Sequence, residues 1–209
     1  MKVAISFLKS KYDLNKTFSL IEQTDAEYIH VDIMDGKFVN NKTLQYDDLK
    51  EYLNRTNKLL DVHLMTENPI DYIINFKNVS PEFITIHKEI NMNIYDLIEL
   101  IHSYGIKAGI SINPETKVED IKEYLGLVEN VLIMSVTPGM GGQKFNDKVI
   151  SKINVLDKLR KENNYNYLIS IDGGINNTTI DKVRDVDFVI SGSFVCMSDN
   201  YQDKINELR

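Results

Sequence analysis

The sequence contains one cysteine, no long apolar run and no cluster of basic residues. Cys196 therefore has no partner for an internal disulfide, which agrees with a reducing compartment, and we expect it to be a packed small residue. No apolar stretch approaches the roughly 20 residues of a membrane-spanning helix, and the first ten residues lack the pattern of a signal peptide. These absences predict a cytoplasmic protein without a membrane segment.

The charge balance excludes a second class of partner. The formal net charge is −7, and Lys and Arg form no block or face. We therefore expect no broad nucleic-acid binding. An anionic small molecule would have to be held locally, by backbone N–H groups and helix N-termini.

The remaining composition is that of an ordinary globular protein. The chain has 209 residues, of which 43% are hydrophobic and 26% charged, and it shows no low-complexity segment or linker. This length is near the short end of the range for a (β/α)₈ barrel. We expect a single domain that spans residues 1–209.

Short β-rich runs alternate with longer segments of helical period, which is the pattern of repeated βαβ units. The predicted strands are 2–6, 28–32, 59–63, 83–87, 107–112, 130–135, 167–172 and 188–191. The predicted helices are 14–23, 46–54, 69–77, 94–104, 118–125, 147–163, 178–183 and 199–208. Asn68 before Pro69 predicts a helix start, and Gly105 predicts a helix end. Eight such units favour a closed (β/α)₈ TIM barrel over an open doubly wound sheet.

Polar residues interrupt the apolar runs at or just past the carboxyl end of each predicted strand. They are Ser6, Asp32, His63, His87, Asn113, Ser135, Asp172 and Ser191. In a barrel these ends converge on the face that carries the active site. One such residue is most simply the start of a loop, but eight together predict a pocket.

Two histidines and two aspartates among the strand residues suit a divalent metal. His30 and Asp32 are two residues apart and so point to one side of their strand, and His63 and Asp172 end two other strands. Nitrogen and carboxylate ligands suit Zn²⁺, Mn²⁺, Fe²⁺ or Co²⁺. The competing interpretation is that the histidines are hydrogen-bonded core residues and the aspartates cap helices.

Three glycine-containing loops follow the last three predicted strands. Glycine allows backbone amides to approach an anion closely, and late loops of this barrel often bind phosphate. A lone pair of glycines is usually a turn, whereas three consecutive loops favour a phosphate site. The loops contain Gly139, Met140, Gly141 and Gly142, then Gly173 and Gly174, then Gly192 and Ser193.

Three methionines, Met34, Met65 and Met134, lie within two residues of strand ends that carry proposed site residues. Core packing is the ordinary explanation. A soft apolar lining above a reactive centre is the functional alternative.

Four segments of the chain resemble the ribulose-phosphate 3-epimerase family, and the similarity runs through nearly the whole sequence. They are Ile29-His30-Val31-Asp32-Ile33-Met34-Asp35-Gly36, Leu60-Asp61-Val62-His63-Leu64-Met65, Ile133-Met134-Ser135-Val136 with Pro138-Gly139-Met140-Gly141-Gly142-Gln143-Lys144-Phe145, and Ile171-Asp172-Gly173-Gly174.

The resemblance implies a specific role for each of these positions. It implies metal ligation by His30, Asp32, His63 and Asp172, and acid–base catalysis by Asp32 and Asp172. Ser6 and His63 would contact a phosphorylated ketose, and Met34, Met65 and Met134 would lie above the metal. The phosphate would be held by Gly139, Met140, Gly141, Gly142, Gly173, Gly174, Gly192 and Ser193. The resemblance also implies one divalent metal ion per subunit, a homo-oligomer and a step of the pentose phosphate pathway.

Ile5, Lys37, Asn40 and Met140 depart from the usual family pattern, and none is a predicted ligand. They leave the substrate open between ribulose 5-phosphate and allulose 6-phosphate. A related decarboxylase would need a lysine where this chain has His63, and a Schiff-base aldolase would need a lysine inside the barrel. A sugar-phosphate binding module without catalysis is the remaining alternative.

Overall fold

The computed structural model describes residues 1–209 and contains eight parallel strands closed into one barrel. The strands are β1 (Lys2–Ser6), β2 (Tyr28–Met34), β3 (Leu59–Met65), β4 (Phe83–His87), β5 (Lys107–Ile112), β6 (Asn130–Met134), β7 (Leu168–Asp172) and β8 (Phe188–Ser191). Each strand pairs with the next along the chain, and β8 pairs with β1. The predicted (β/α)₈ barrel is confirmed.

Seven α-helices surround the barrel, and the last two follow β8. They are α1 (Leu14–Glu22), α2 (Tyr46–Leu53), α3 (Ile70–Phe76), α4 (Ile94–Ser103), α5 (Ile150–Asn163), α6 (Ser193–Cys196) and α7 (Tyr201–Asn206). Short 3₁₀ segments occupy Lys77–Val79, Val118–Tyr124, Asp147–Val149 and Ile180–Val183. The predictions of helices at 118–125 and 178–183 are therefore correct in place but not in type, because such short segments gain little from cooperative α-helix formation.

Side chains at the helix ends explain several of the observed boundaries. Asp13 caps α1 by accepting a hydrogen bond from the N–H of Lys16 at 2.8 Å. The α3 helix begins one residue later than predicted, and Asn68 accepts from the N–H of Ile70 at 3.2 Å. Gly105 follows α4 with a φ of +72°, the left-handed conformation that ends many helices.

The two ends of the barrel interior differ in polarity. Tyr28, Phe83 and Phe188 begin their strands and pack together inside the amino-terminal end, with the rings of Tyr28 and Phe188 centred 5.0 Å apart. The carboxyl end is lined instead by the polar residues that close the strands. A core of 51 buried residues lies mainly between the strands and the surrounding helices. The barrel therefore places a rigid apolar base beneath a polar face.

Cys196 is fully buried in α6 and forms no disulfide, as expected for a packed small residue. None of the helices combines the length and the hydropathy needed to span a bilayer.

Candidate active site and metal centre

The register between β2 and β3 brings four ionisable residues together inside the barrel. His30 lies beside Asp61, and Asp32 lies beside His63. Side chains two residues apart on a strand share a face, so all four point into the barrel. His30, Asp61 and His63 have no solvent exposure, and the Asp32 side chain is 6% exposed.

The structure brings the four predicted metal ligands together. One ligand atom from each of His30, Asp32, His63 and Asp172 lies within 4.8 Å of the others. Asp32 is central to this group, because its Oδ1 lies 3.3 Å from both His30 Nε2 and His63 Nδ1. Its other oxygen, Oδ2, accepts a hydrogen bond from Ser6 Oγ at 2.7 Å.

These side chains fit a divalent cation. His30 Nε2 is buried and makes no hydrogen bond, although burying a polar nitrogen without a partner costs free energy. A cation between the four groups would pair that nitrogen. Two imidazoles and two carboxylates suit Zn²⁺, Mn²⁺, Fe²⁺ or Co²⁺.

The two aspartates have opposite pKa shifts. Burial raises the pKa of Asp32, but its contacts with His30 and His63 outweigh that effect and hold the pKa below its usual range. Burial and the negative charge of Asp32 raise the pKa of Asp172 above its usual range. The two carboxylates therefore differ in proton affinity, and Asp172 holds a proton more readily than Asp32.

A cavity of about 550 Å³ opens above these four residues, a volume suited to a small phosphorylated sugar. All but two of the predicted site residues line it. The lining residues are Ser6, Asp32, Met34, Met65, Met134, Gly139, Met140, Gly141, Gly142, Asp172, Gly173, Gly174, Gly192 and Ser193. His30 and His63 do not line the cavity and lie beneath its floor.

The glycine loops form one wall of the cavity. Gly139, Gly142, Gly173 and Gly174 all have positive φ angles, which side chains other than glycine rarely adopt. A Cβ at Gly174 would lie 2.5 Å from the backbone nitrogen of Phe145. The loop after β7 therefore packs directly on the loop after β6, and this close approach requires glycine at position 174.

The three methionines lie near the floor of the cavity. Met34 and Met65 are paired across β2 and β3 and pack with Val39, and Met134 is beside Asp172 in the register of β6 and β7. Each is at most 2% exposed. They form an apolar border around the carboxylates.

Comparison with known proteins places these features in a family. The model of the ribulose-phosphate 3-epimerase family matches residues 2–196. The chain belongs to this family. The resemblance predicted from the four segments is thus confirmed.

Curated relatives of the epimerase family align over almost the whole chain. Ribulose-phosphate 3-epimerase of Helicobacter pylori is 39% identical over 197 residues, covering 93% of this chain and 90% of that protein. The enzyme of the same name from Treponema pallidum is 37% identical over 194 residues, covering 91% and 89%. That of Bacillus subtilis is 34% identical and covers 100% and 98%.

Solved structures show the same fold at much lower identity. KGPDC from Streptococcus mutans has a TM-score of 0.69 and 11% identity, covering 99% of this epimerase-family chain and 94% of that protein. This likeness concerns the barrel alone.

Behind the candidate ligands, sequence reasoning assigned no role to Asp61 and Glu89, and it named His87 only among the polar residues at the strand ends. Asp61 contacts His30, His87 contacts His63, and Glu89 contacts His87. The sequence did indicate that Asp61 points inward, because it is two residues from His63 in an apolar strand and so lies on the same side of that strand. Lys9 was also missed and is the one cationic side chain that lines the cavity.

Proposed function

We propose that this chain is a ribulose-phosphate 3-epimerase, which interconverts D-ribulose 5-phosphate and D-xylulose 5-phosphate by inverting C3. Its family membership and the names of its curated relatives support this substrate over allulose 6-phosphate. The observation that carries the mechanism is the pair Asp32 and Asp172, two inward-facing carboxylates at the floor of one cavity.

Inversion at C3 requires two carboxylates. The C2 carbonyl makes the neighbouring C3 proton removable, because the charge spreads into an enediolate. Asp32 and Asp172 extend from strands that are separated by β1 and β8, so they can act on the two faces of a planar C3. One accepts the proton from its face and the other donates a proton to the opposite face. A single base would restore the original configuration.

His30, Asp32, His63 and Asp172 would hold a divalent metal ion. When bound, this ion supplies Lewis-acid stabilisation of negative charge on the substrate oxygens. The protein's own part is to position the carboxylates and to exclude water. Ser6 orients Asp32 through its hydrogen bond, and Met34, Met65 and Met134 border the reacting carbon with apolar surface.

The glycine loops would bind the phosphate. Their backbone approaches the cavity closely, and backbone N–H groups bind anions without net positive charge. The residues proposed for this role are Gly139, Met140, Gly141, Gly142, Gly173, Gly174, Gly192 and Ser193. Such binding fixes C3 over the carboxylates.

The broader expectations of the sequence remain part of the same proposal. The substrate pair assigns the enzyme to the pentose phosphate pathway. We also propose that it is one domain, acts in the cytoplasm and forms a homo-oligomer.

A rate comparison on ribulose 5-phosphate and allulose 6-phosphate tests this function. The protein is first treated with a chelator and then supplied separately with Zn²⁺, Mn²⁺, Fe²⁺ or Co²⁺. We expect kcat/KM to be higher for the pentose phosphate, to fall on chelation and to recover with metal. A higher value for allulose 6-phosphate would reassign the substrate, and sugar-phosphate binding without exchange of the C3 proton with solvent would indicate a non-catalytic binder.

A further inference from the structure

The two candidate imidazole ligands turn different nitrogens towards the same atom. His30 presents Nε2 and His63 presents Nδ1, each 3.3 Å from Oδ1 of Asp32. A neutral imidazole can bind a cation only through its unprotonated nitrogen. The opposite nitrogen must then carry the proton, so the partner of that second nitrogen decides which tautomer is present.

The partner of His30 is Asp61. Its Oδ2 lies 2.6 Å from His30 Nδ1, and neither residue is exposed to solvent. The register of β2 and β3 places the two residues side by side, and the other oxygen of Asp61 makes no hydrogen bond. Asp61 is therefore directed at His30 alone, and a carboxylate there accepts the Nδ1 proton and leaves Nε2 free.

The partner of His63 is a two-residue relay. His63 Nε2 lies 2.8 Å from His87 Nε2, and His87 Nδ1 lies 3.0 Å from Oε2 of Glu89. The other oxygen of Glu89 accepts from the backbone N–H of Asn113 at 2.7 Å and from the Thr116 hydroxyl. Glu89 is thus an acceptor at both oxygens.

The proton positions along this relay follow from the acceptor role of Glu89. Because Glu89 accepts, His87 donates through Nδ1, and a neutral His87 then has only an acceptor at Nε2. His63 must donate from its own Nε2 to complete the 2.8 Å contact. Its Nδ1 is then left without a proton, so the 3.3 Å contact with Oδ1 of Asp32 joins two acceptors, which a cation between them would pair.

We propose that Asp61 and the His87–Glu89 relay are positioning residues that give the two imidazole ligands opposite tautomers. Asp61 makes His30 a ligand through Nε2, and the relay makes His63 a ligand through Nδ1. This inference deepens the proposed function and rests on its metal site. Neither Asp61 nor Glu89 lines the cavity, so their effect on the metal runs through the histidines.

The relay is anchored outside the active site. Lys152 of α5 donates to the backbone carbonyl of Asn113 at 2.7 Å, and Asn113 in turn holds Glu89. Glu89 is therefore fixed by the loop that follows β5. A fixed acceptor keeps the imidazoles in one orientation whether or not a metal is bound.

Zinc affinity of the substrate-free protein tests the relay, measured by competition with a chromogenic chelator. Glu89→Gln keeps the shape but places an amide N–H₂ within reach of His87, which reverses the direction of donation along the relay. Asp61→Leu removes the acceptor for His30. We expect each change to weaken zinc binding by about 10- to 100-fold.

A surface pair provides the matched control. His102 and Glu129 lie 3.0 Å apart, as His87 and Glu89 do, but they are 38% and 40% exposed. Glu129→Gln should leave zinc affinity unchanged. His87→Gln keeps an acceptor for His63 and should retain more affinity than His87→Leu. Circular dichroism and thermal unfolding identify any variant that fails to fold.

A second measurement needs no substitution. The chain has four histidines, so ¹⁵N NMR of the zinc-bound wild type can assign each imidazole nitrogen. We expect a proton on Nδ1 of His30 and on Nε2 of His63. The opposite tautomer of His63 would overturn the inference. Zinc affinity within twofold of wild type in both the Glu89→Gln and Asp61→Leu proteins would also overturn it. Either result would leave the epimerase proposal intact. A wild type that binds no zinc, Mn²⁺, Fe²⁺ or Co²⁺ would instead refute the metal site.

Discussion

Asp32 divides its two oxygens between different tasks. Oδ2 accepts from Ser6, and Oδ1 lies 3.3 Å from His30 Nε2 and from His63 Nδ1. Asp172 belongs to the same cluster, where burial and the charge of Asp32 raise its pKa above the usual range. Two identical side chains thus differ in proton affinity through their surroundings alone.

Substitution of either aspartate by asparagine tests the mechanism in which two carboxylates act on opposite faces of C3. Asp32→Asn and Asp172→Asn preserve the shape of the side chain but remove the proton acceptor, so each should lower kcat by about 10²- to 10⁴-fold. A coupled epimerase assay measures the loss, with circular dichroism as the control for folding and metal analysis as the control for a lost ligand. Substantial turnover by either variant with its metal bound would contradict the scheme.

The inward-facing residues were easier to predict from the sequence than their partners. His30 and Asp32 are two apart and end an apolar run, which was sufficient to predict their shared face. Asp61 and Glu89 make their contacts across strands or through a loop, at distances that depend on register. Strand register is a tertiary property, so a single sequence did not indicate that His30 faces Asp61 or that His87 joins His63 to Glu89.

At the level of elements, strand positions were more predictable than helix types. The β2 and β3 strands extend two residues beyond the predicted ends because Met34 and Met65 continue the pairing. The short α6 was missed because it follows β8 directly, within a run of small and apolar residues. Packing on neighbouring elements, which local propensity does not describe, determines such ends.

The contact between the loops after β6 and β7 leads to a second prediction. In Gly174→Ala, the added Cβ would meet the backbone of Phe145 and the φ of +64° would be strained. The β6 loop must move, so we expect KM for the sugar phosphate to rise roughly 10- to 100-fold. Steady-state kinetics measure this change.

Gly105→Ala is the control that separates backbone strain from steric collision in the Gly174→Ala experiment. Gly105 also has a positive φ, +72°, but a Cβ there meets no atom within 4 Å. This variant should lose about 1–2 kcal/mol of unfolding free energy with an unchanged KM. If both variants had the same KM as the wild type, the two glycine loops would not form the phosphate site.

The whole barrel separates stability at one end from chemistry at the other. Phe188 is fully buried in the aromatic base and does not line the cavity. Phe188→Ala should lower the unfolding free energy by about 3–5 kcal/mol in urea titrations, while KM of the folded protein stays unchanged. Leu127→Ala, at a side chain that is 42% exposed, should change stability by less than about 0.5 kcal/mol. A raised KM in Phe188→Ala would show that the two ends are coupled.

Metal binding should stabilise the entire molecule, because its four candidate ligands come from β2, β3 and β7 and meet only in the closed barrel. An ion at 100 times its Kd that binds only the folded state adds about 2.7 kcal/mol of unfolding free energy. For a chain of this size that raises Tm by roughly 5–11 °C. Differential scanning calorimetry with and without a chelator measures the shift, and Asp172→Asn, which weakens one ligand, should show a smaller one. An equal Tm in both conditions would mean that these residues hold no ion in the folded protein, and the two aspartates would then have to act without one.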